Sequence, residues 1–295
     1  MSDAPIVVLG GTGKTGRRVA ALLARQGRPV RAASRSAPTR FDWYDDRTWA
    51  PLLAGAEAVY LVDSGGPDAA ARLADLCAQA VAAGVHRLVL LSSRDWGLSG
   101  DPERLACERA VEAAGVDWTI LRPTWFGQNF SEAPLLRDPV LDGELVLPTG
   151  DGLEPFVDAD DIAEVAVTVL TGPGHAGRTY DLSGPRLLSF GAAVREIAEA
   201  TGREVRYRPV SGAEYVARLA GTDVPADEVQ ILDLLFGWIA QGATHTFPTG
   251  CGRCWGGSPG TSRTTSGPPH RPESGTPTGA GSRRGRGSWN FQPAR

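Results

Sequence analysis

The chain has 295 residues and a formal net charge of −4, with 42% hydrophobic and 22% charged residues. These values are ordinary for a folded protein with a buried core, and the negative charge argues against nucleic acid as a partner. No stretch reaches the roughly 18 apolar residues of a membrane-spanning helix, and the first residues lack the features of a secretory signal. We therefore expect no membrane partner, no nucleic-acid partner and a cytoplasmic location.

Short apolar segments alternate with amphipathic ones through residues 1–125. The apolar segments are rich in β-branched and aliphatic residues, which is typical of buried parallel strands, and they span residues 5–10, 29–34, 56–62, 87–92 and 117–121. Between them, helices are predicted at residues 14–26, 48–53, 68–83 and 102–114. This alternation predicts an α/β protein with a doubly wound parallel sheet.

A glycine-rich segment between the first strand and the first helix carries the strongest site signal. Gly10, Gly13 and Gly16 have the spacing G-x-x-G-x-x-G. The first glycine permits the sharp turn, the second lets the backbone approach a pyrophosphate, and the third lets the helix pack on the strand. The first helical amides then face the phosphate. The predicted dinucleotide-binding residues are Gly10, Thr12, Gly13, Lys14, Thr15 and Gly16.

The same segment does not fit a nucleoside-triphosphate site. A P-loop with Gly-Lys-Thr at residues 13–15 requires a glycine at position 8, where the chain has Val8. Triphosphate hydrolysis is therefore disfavoured.

The end of the second predicted strand indicates which dinucleotide binds. An acid there would hold the ribose 2′-hydroxyl of NAD, whereas an arginine would accept the 2′-phosphate of NADP. The segment contains Ser34 and Arg35 and no acid. NADP is favoured over NAD, and the alternative is that Arg35 is an ordinary solvated arginine.

After Pro123 the alternation changes. Residues 124–150 are rich in Pro, Gly and aromatic residues, which predicts loops and short elements. Helices are then predicted at residues 162–170, 190–200, 213–220 and 227–241, with strands at 178–182 and 205–209. Asp158, Asp160 and Asp161 form a carboxylate cluster that we interpret as the cap of the helix before Ile162 rather than as a catalytic group.

Several segments in chain order resemble the NmrA-like branch of the atypical short-chain dehydrogenases. They include VVLGGTGKTGRRV, DWTILRP and FVDADDIA, and the resemblance covers about residues 4–241. Within this branch the sequence is similar to bacterial proteins that resemble festuclavine dehydrogenase of ergot-alkaloid synthesis, and such reductases act on iminium-type substrates. The resemblance implies an NAD(P)-binding Rossmann domain of residues 1–125 and 151–185. It also implies a small α+β domain of residues 126–150 and 186–242 that covers the substrate.

The chain departs from ordinary short-chain dehydrogenases at their Tyr-x-x-x-Lys pair, in which the lysine lowers the tyrosine pKa for proton donation. Atypical relatives often have Tyr-x-x-x-Lys-x-x-x-Glu before this strand. When Glu108 is aligned with the glutamate of that pattern, Arg104 stands at the lysine position and Gly100 at the tyrosine position. No other lysine replaces it, because the single lysine of the chain is Lys14. Carbonyl reduction by the usual proton relay is disfavoured, whereas an iminium carbon accepts hydride without a protein acid.

The substrate pocket is predicted at the carboxyl ends of the fifth and sixth sheet strands, where open α/β sheets bind ligands. Asp95, in the loop after the fifth strand, is expected to line this pocket. Aromatic residues there suit a planar apolar substrate. The alternatives are strand-end capping for the serines and ordinary packing for the aromatic residues. The candidates are Ser92, Ser93, Trp96, Trp125, Phe126 and Asn129.

These observations predict an NAD(P)H-dependent oxidoreductase that reduces a hydrophobic iminium- or quinone-like small molecule by hydride transfer. The alternative is a non-catalytic NAD(P)-binding regulator or redox sensor with a protein partner, since the missing Tyr-Lys pair fits that equally well. No metal site is expected. Cys251 and Cys254 form a lone C-x-x-C without the second pair or the histidines that a metal site needs.

The composition changes abruptly near residue 242. Residues 243–295 contain no Leu, Ile, Val or Met, and carry seven arginines against one acid. Such a segment cannot bury enough apolar surface to fold, which predicts a disordered tail. Reading GC-rich codons for this region in the plus-two frame gives a string with aliphatic and acidic residues. We therefore hypothesise a frameshift near Gly242, which resequencing would test, against the alternative of a genuine Gly/Pro/Arg-rich linker.

Overall fold

The computed structural model describes residues 3–222 and 224–243. The predicted tail after residue 243 and the C-x-x-C pair thus lie outside the described residues, and the hypothesised change of frame near Gly242 falls at their limit. None of the described helices is long and apolar enough to cross a membrane.

Eleven strands and eleven α-helices occur within the described ranges. The strands are β1 (Ile6–Leu9), β2 (Val30–Ser34), β3 (Thr39–Arg40), β4 (Ala58–Val62), β5 (Arg87–Leu91), β6 (Asp117–Pro123), β7 (Glu144–Leu147), β8 (Leu153–Glu154), β9 (Arg178–Leu182), β10 (Leu188–Ser189) and β11 (Arg206–Pro209). The helices are α1 (Gly16–Arg25), α2 (Trp49–Leu53), α3 (Ala69–Ala82), α4 (Arg94–Ser99), α5 (Ala106–Glu112), α6 (Asn129–Glu132), α7 (Pro134–Asp142), α8 (Ala159–Thr171), α9 (Phe190–Thr201), α10 (Gly212–Leu219) and α11 (Ala226–Ala240).

Seven strands form one parallel sheet in the order β3-β2-β1-β4-β5-β6-β9. The strand order reverses between β1 and β4, which is the arrangement of a doubly wound Rossmann fold. Strand β1 shows why both sheet faces need helices. Ile6 and Val8 belong to one apolar cluster and Val7 and Leu9 to another, because successive side chains of a strand point to opposite faces. The predicted doubly wound sheet is confirmed.

The two apolar clusters are covered by different helices. One contains residues of α2, α3 and α5, and the other contains residues of α1 and α8. Helix α8 is apolar on most sides, with Ile162, Ala166 and Val169 fully buried, because it packs over the middle of the sheet.

A third apolar cluster lies away from the main sheet. It is rich in phenylalanine and gathers Phe130, Phe156, Phe190 and Phe236 with aliphatic residues of α7, β7 and α9. Two small sheets accompany it: β8 pairs antiparallel with β10, and β7 pairs parallel with β11. This second unit matches the expected small α+β part, while the exact residue boundaries of the two units stay predictions.

Local structure differs from the sequence expectation between β5 and β6. The helix predicted at residues 102–114 is shorter, and a separate helix, α4, precedes it; Gly100 follows α4 with a positive φ of 61°. Residues 124–150 contain the short elements α6, α7 and β7, in line with the prediction of loops and short elements. Helix α7 begins with Pro134 and is followed by Gly143, residues that commonly start and stop a helix.

Candidate functional site: a glycine-rich loop and adjoining aromatic residues

The glycine-rich loop is folded tightly on itself between β1 and α1. Gly10 has φ +63°, and its carbonyl accepts a hydrogen bond of 2.7 Å from the Gly13 amide. A Cβ on Gly16 would collide with that same carbonyl, and a Cβ on Gly11 would lie 2.9 Å from the Ala32 Cβ. The loop therefore requires glycine for its own geometry, as the spacing predicted.

Four backbone amides of this loop have no hydrogen-bond partner among the described residues. Within residues 3–222 and 224–243, the N–H groups of Thr12, Lys14, Thr15 and Gly16 donate to no other group. They sit at the start of α1, where the helix dipole favours an anion. A glycine-rich loop with unpaired backbone N–H groups at the start of a helix is the arrangement that suits the diphosphate of a dinucleotide.

The single lysine lies at the edge of this loop. Burial lowers the pKa of Lys14, with Arg17 acting in the same direction and Glu132 acting against both. Glu132 itself accepts hydrogen bonds from Arg17 and Arg18, at 2.6 and 2.9 Å, and Arg18 also contacts Asp160. This network ties the first helix to α6 and α8, and so links the phosphate loop to the segment after β6.

The end of β2 offers one unpaired cation. Ser34 Oγ is used locally, since it accepts from the amides of Ser36 and Ala37 and from the Thr12 hydroxyl. Arg35 is exposed and forms no hydrogen bond or ion pair with another described residue. Arg40, which is in register with Ser34 on β3, is exposed as well. The edge beside the loop is therefore open to a further anionic group.

The predicted serines at the end of β5 already have partners. Ser92 Oγ donates to Glu108 Oε1 at 2.5 Å, and Arg122 donates to both oxygens of the same carboxylate at 2.9 and 2.5 Å. Ser93 caps α4 by accepting from the Asp95 amide. These contacts are the strand-end roles set out as the alternative for the serines, and their contact with substrate remains a prediction.

The positions of the missing Tyr-Lys pair carry other contacts. Arg104, at the lysine position, places its guanidinium 4.7 Å from the centre of the Trp96 ring. The ring of Trp96, in α4, thus makes a cation–π contact with Arg104. No hydroxyl–ammonium pair occurs here, because Gly100 provides no hydroxyl and Lys14 lies in the phosphate loop.

The aromatic residues after β6 lie where the two units meet. Trp125 packs on Phe236 at 5.0 Å and on Phe190 at 5.9 Å between ring centres. Phe126 pairs with Val157 through the backbone and packs on the main sheet. Asn129 begins α6, is half-buried, and its side-chain amide makes no hydrogen bond within the described chain. We call Trp125, Phe126 and Asn129 together the wall: two apolar rings and one side-chain amide without a hydrogen bond among the described residues.

A buried charged cluster beneath this wall was not predicted. Arg94 and Glu154 are 1% and 0% exposed, and Nη2 of Arg94 lies 2.9 and 3.0 Å from the two Glu154 oxygens. Asp95, expected to line the pocket, is 6% exposed and contacts the same Nη2 at 3.3 Å. Burial raises the pKa of Glu154 to about 7 despite Arg94. Burial also raises the pKa of Asp95, against Arg94 and the Trp125 side chain.

Sequence reasoning missed Arg94 and Glu154 because they are 60 positions apart and neither belongs to a motif. The one available signal was the position of Arg94 shortly after a buried strand, at the edge of the sheet where open α/β sheets bind ligands. The predicted cap is confirmed for Asp158, which accepts from the Asp160 amide, while Asp160 and Asp161 lie in the first turn of α8. Among the described residues no group of His, Cys, Asp and Glu could hold a metal ion.

Comparison with known proteins places this geometry in context. The model of a family described as NAD(P)H-binding matches residues 10–173. Festuclavine synthase I of Penicillium roqueforti is 33% identical over 240 residues, covering 76% of this chain and 81% of that protein. An NAD(P)H azoreductase of Xenophilus azovorans is 30% identical, covering 78% of this chain and 86% of that protein.

Solved structures share the fold. Triphenylmethane reductase of Citrobacter sp., complexed with NADP(H), has a TM-score of 0.65 and 23% identity, covering 85% of this chain and 95% of that chain. A mutant of NmrA has a TM-score of 0.68 and 20% identity, covering 87% of this chain and 92% of that chain. The glycine-rich loop therefore lies on a fold that these proteins have in common.

Proposed function

Because the chain belongs to a family described as NAD(P)H-binding, we propose that it is an NADPH-dependent reductase of a planar, hydrophobic iminium- or quinone-like molecule. The family is one of oxidoreductases that bind NAD(P)H. The choice of NADPH, the substrate class and the site residues are the content of the proposal.

Binding is assigned to residues of the phosphate loop and the end of β2. The open amides of Thr12, Lys14, Thr15 and Gly16 would hold the diphosphate, and the unpaired Arg35 would hold the 2′-phosphate. The bound dinucleotide supplies hydride to the substrate. A charge-assisted contact from an exposed arginine contributes about 1.5–3 kcal/mol, less where salt screens it.

One observation favours an acceptor that needs no strong acid. The position of the usual tyrosine is occupied by Gly100, and the arginine at the lysine position is engaged with Trp96. An iminium carbon is already electrophilic, and a quinone gives a stabilised anion that water can protonate. The chain's own task is then to orient a flat molecule against Trp125 and Phe126 and to exclude water, with Asn129 available for one hydrogen bond.

The two curated relatives are named for reactions of this kind. One is a festuclavine synthase and the other reduces azo compounds, and both are at least 30% identical to this chain. These names support a reductase of nitrogen-containing molecules.

The competing function is a non-catalytic sensor of the NADPH/NADP ratio with a protein partner. It is favoured by the same absence of the Tyr-Lys pair, and the fold similarity to NmrA is compatible with it. The sensor requires dinucleotide binding but no apolar acceptor site.

Turnover separates the two functions. Purified protein is mixed with NADPH and, in separate reactions, a cyclic iminium, a set of quinones and an azo dye, and loss of NADPH absorbance is followed. We expect turnover with at least one acceptor, and slower turnover when Trp125 is replaced by alanine. Clear NADPH binding by calorimetry without turnover of any acceptor would refute the reductase and leave the sensor. Absence of dinucleotide binding would refute both.

A further inference from the structure

A charged cluster with little access to water joins the two units of the molecule below the proposed substrate wall. Arg94 and Asp95 come from α4, which follows β5 of the main sheet, and Glu154 comes from β8 of a small sheet. The exposed fractions of their side chains are 2%, 8% and 0%. One guanidinium therefore faces two carboxylates where water screens little of their charge.

The wall residue Trp125 is attached to this cluster from two sides. Its backbone amide donates to Glu154 Oε1 at 3.1 Å, and its side chain acts on the Asp95 carboxyl. Next to it, Thr124 Oγ1 donates to the Pro155 carbonyl at 2.6 Å. The chain leaving β6 is thus fixed to the segment around Glu154.

We propose that Glu154 is a positioning residue whose ionised form, together with Arg94, holds Trp125 in the place that substrate binding requires, so that substrate affinity weakens when Glu154 is protonated. The inference rests on the proposed function for its substrate, but the contact itself does not depend on turnover. Glu154 need not touch substrate or cofactor for this role.

Charge and geometry explain why a proton changes this contact. Two buried carboxylates and one buried guanidinium carry a net negative charge, which is costly away from water. A proton on Glu154 removes that cost, in line with the raised pKa of about 7. The protonated acid keeps a carbonyl oxygen that accepts, but without the negative charge its hydrogen bonds from Arg94 and from the Trp125 amide are weaker.

The groups that act on Glu154 are few. From α4 they are Arg94 and Asp95, and from the chain after β6 it is the Trp125 amide. On the paired strand β10, Leu188 is in register with Glu154 and carries no charge. Asp95 is a second buried acid on the same guanidinium, so its own protonation would relieve the same negative charge at lower pH.

The first test is the pH dependence of steady-state kinetics with an acceptor that the enzyme reduces. Between about pH 8 and about pH 6, we expect KM of the wild-type protein to rise about tenfold, the value of one lost charge-assisted hydrogen bond, with little change in kcat. Glu154→Gln should show the high KM at both pH values. Its Kd for NADPH should match that of the wild type, because the phosphate loop is not involved.

Glu57→Gln is the matched control. Glu57 also forms an ion pair with an arginine of low exposure, Arg28, but lies at the opposite, amino-terminal edge of the sheet. This variant should keep the wild-type dependence of KM on pH. If Glu154→Gln keeps it as well, or if kcat rather than KM carries the change, the proposal is overturned.

The second test needs no turnover. Hydrogen–deuterium exchange at the Trp125 amide is compared between wild type and Glu154→Gln at equal pH, which cancels the intrinsic pH effect on exchange. We expect stronger protection in the wild type at about pH 8 and near-equal protection at about pH 6. Equal protection at both pH values overturns the positioning role even if the enzyme is active. Lack of turnover with the expected exchange pattern overturns only the reductase.

A folding defect in the variant would not end the test. Should Glu154→Gln fail to fold, the wild-type protein alone is measured for Trp125 exchange relative to amides of β5, which the cluster does not contact. A relative loss of Trp125 protection from about pH 8 to about pH 6 supports the proposal, and a constant ratio overturns it.

Discussion

Replacing Glu154 by glutamine should change how the stability of the protein depends on pH. Burial raises the pKa of Glu154 from 4.5 to about 7, so the folded state binds a proton more tightly than the unfolded state. Stability from this group is then fully present below about pH 4.5 and is lost as the pH rises to about 7. Glutamine resembles the protonated acid in shape and does not titrate.

The size of the effect follows from the change in proton affinity. At about 1.4 kcal/mol for each tenfold step, a rise in pKa from 4.5 to about 7 corresponds to about 3 kcal/mol in the free energy of unfolding. The free energy of unfolding of the wild type minus that of Glu154→Gln should therefore fall by about 3 kcal/mol between about pH 4 and pH 8. Taking the difference cancels groups that titrate equally in both proteins.

Urea unfolding at a series of pH values measures this difference. Glu132→Gln provides a control of opposite sign. Burial works to raise the pKa of Glu132, but hydrogen bonds from Arg18 and Arg17 outweigh it and lower the pKa. The stability that Glu132 contributes is therefore present above about pH 4.5 and is lost on acidification. A wild-type minus Glu154→Gln difference that is flat, or that rises with pH, would refute the reasoning about Glu154.

Three further changes test the cofactor site and the fold. Arg35→Ala should weaken NADPH binding about tenfold or more while leaving NADH binding nearly unchanged, as measured by calorimetry. Arg40→Ala, the control, should bind NADPH more tightly than Arg35→Ala does. An equal loss of NADPH and NADH affinity in Arg35→Ala would contradict the role of Arg35. Gly16→Ala should abolish dinucleotide binding because its methyl group collides with the Gly10 carbonyl, and wild-type affinity in this variant would show that the loop is not the site. Asp158→Ala should lower the free energy of unfolding by about 1 kcal/mol through loss of a helix cap, and unchanged urea midpoints would argue against that cap.

The sequence predicted most of what depends on short-range chemistry. Apolar strands that alternate with helices predicted the parallel sheet. The spacing of Gly10, Gly13 and Gly16 predicted the tight glycine-rich loop, because such a turn requires glycine whatever the rest of the fold. The cap at Asp158 was predictable for the same reason, since a capping side chain and the amide it accepts from are two residues apart.

The tertiary structure decided what depends on distant residues. Ser92 follows β5, Glu108 lies in α5 and Arg122 lies in β6, and no local pattern shows that the serine hydroxyl donates to the carboxylate. Arg94 and Glu154 likewise meet only because α4 and β8 pack together at the junction of the two units. Local sequence sets the backbone conformation and the pattern of buried residues along each helix or strand. The partner of a buried charge depends instead on which elements the whole fold brings into contact.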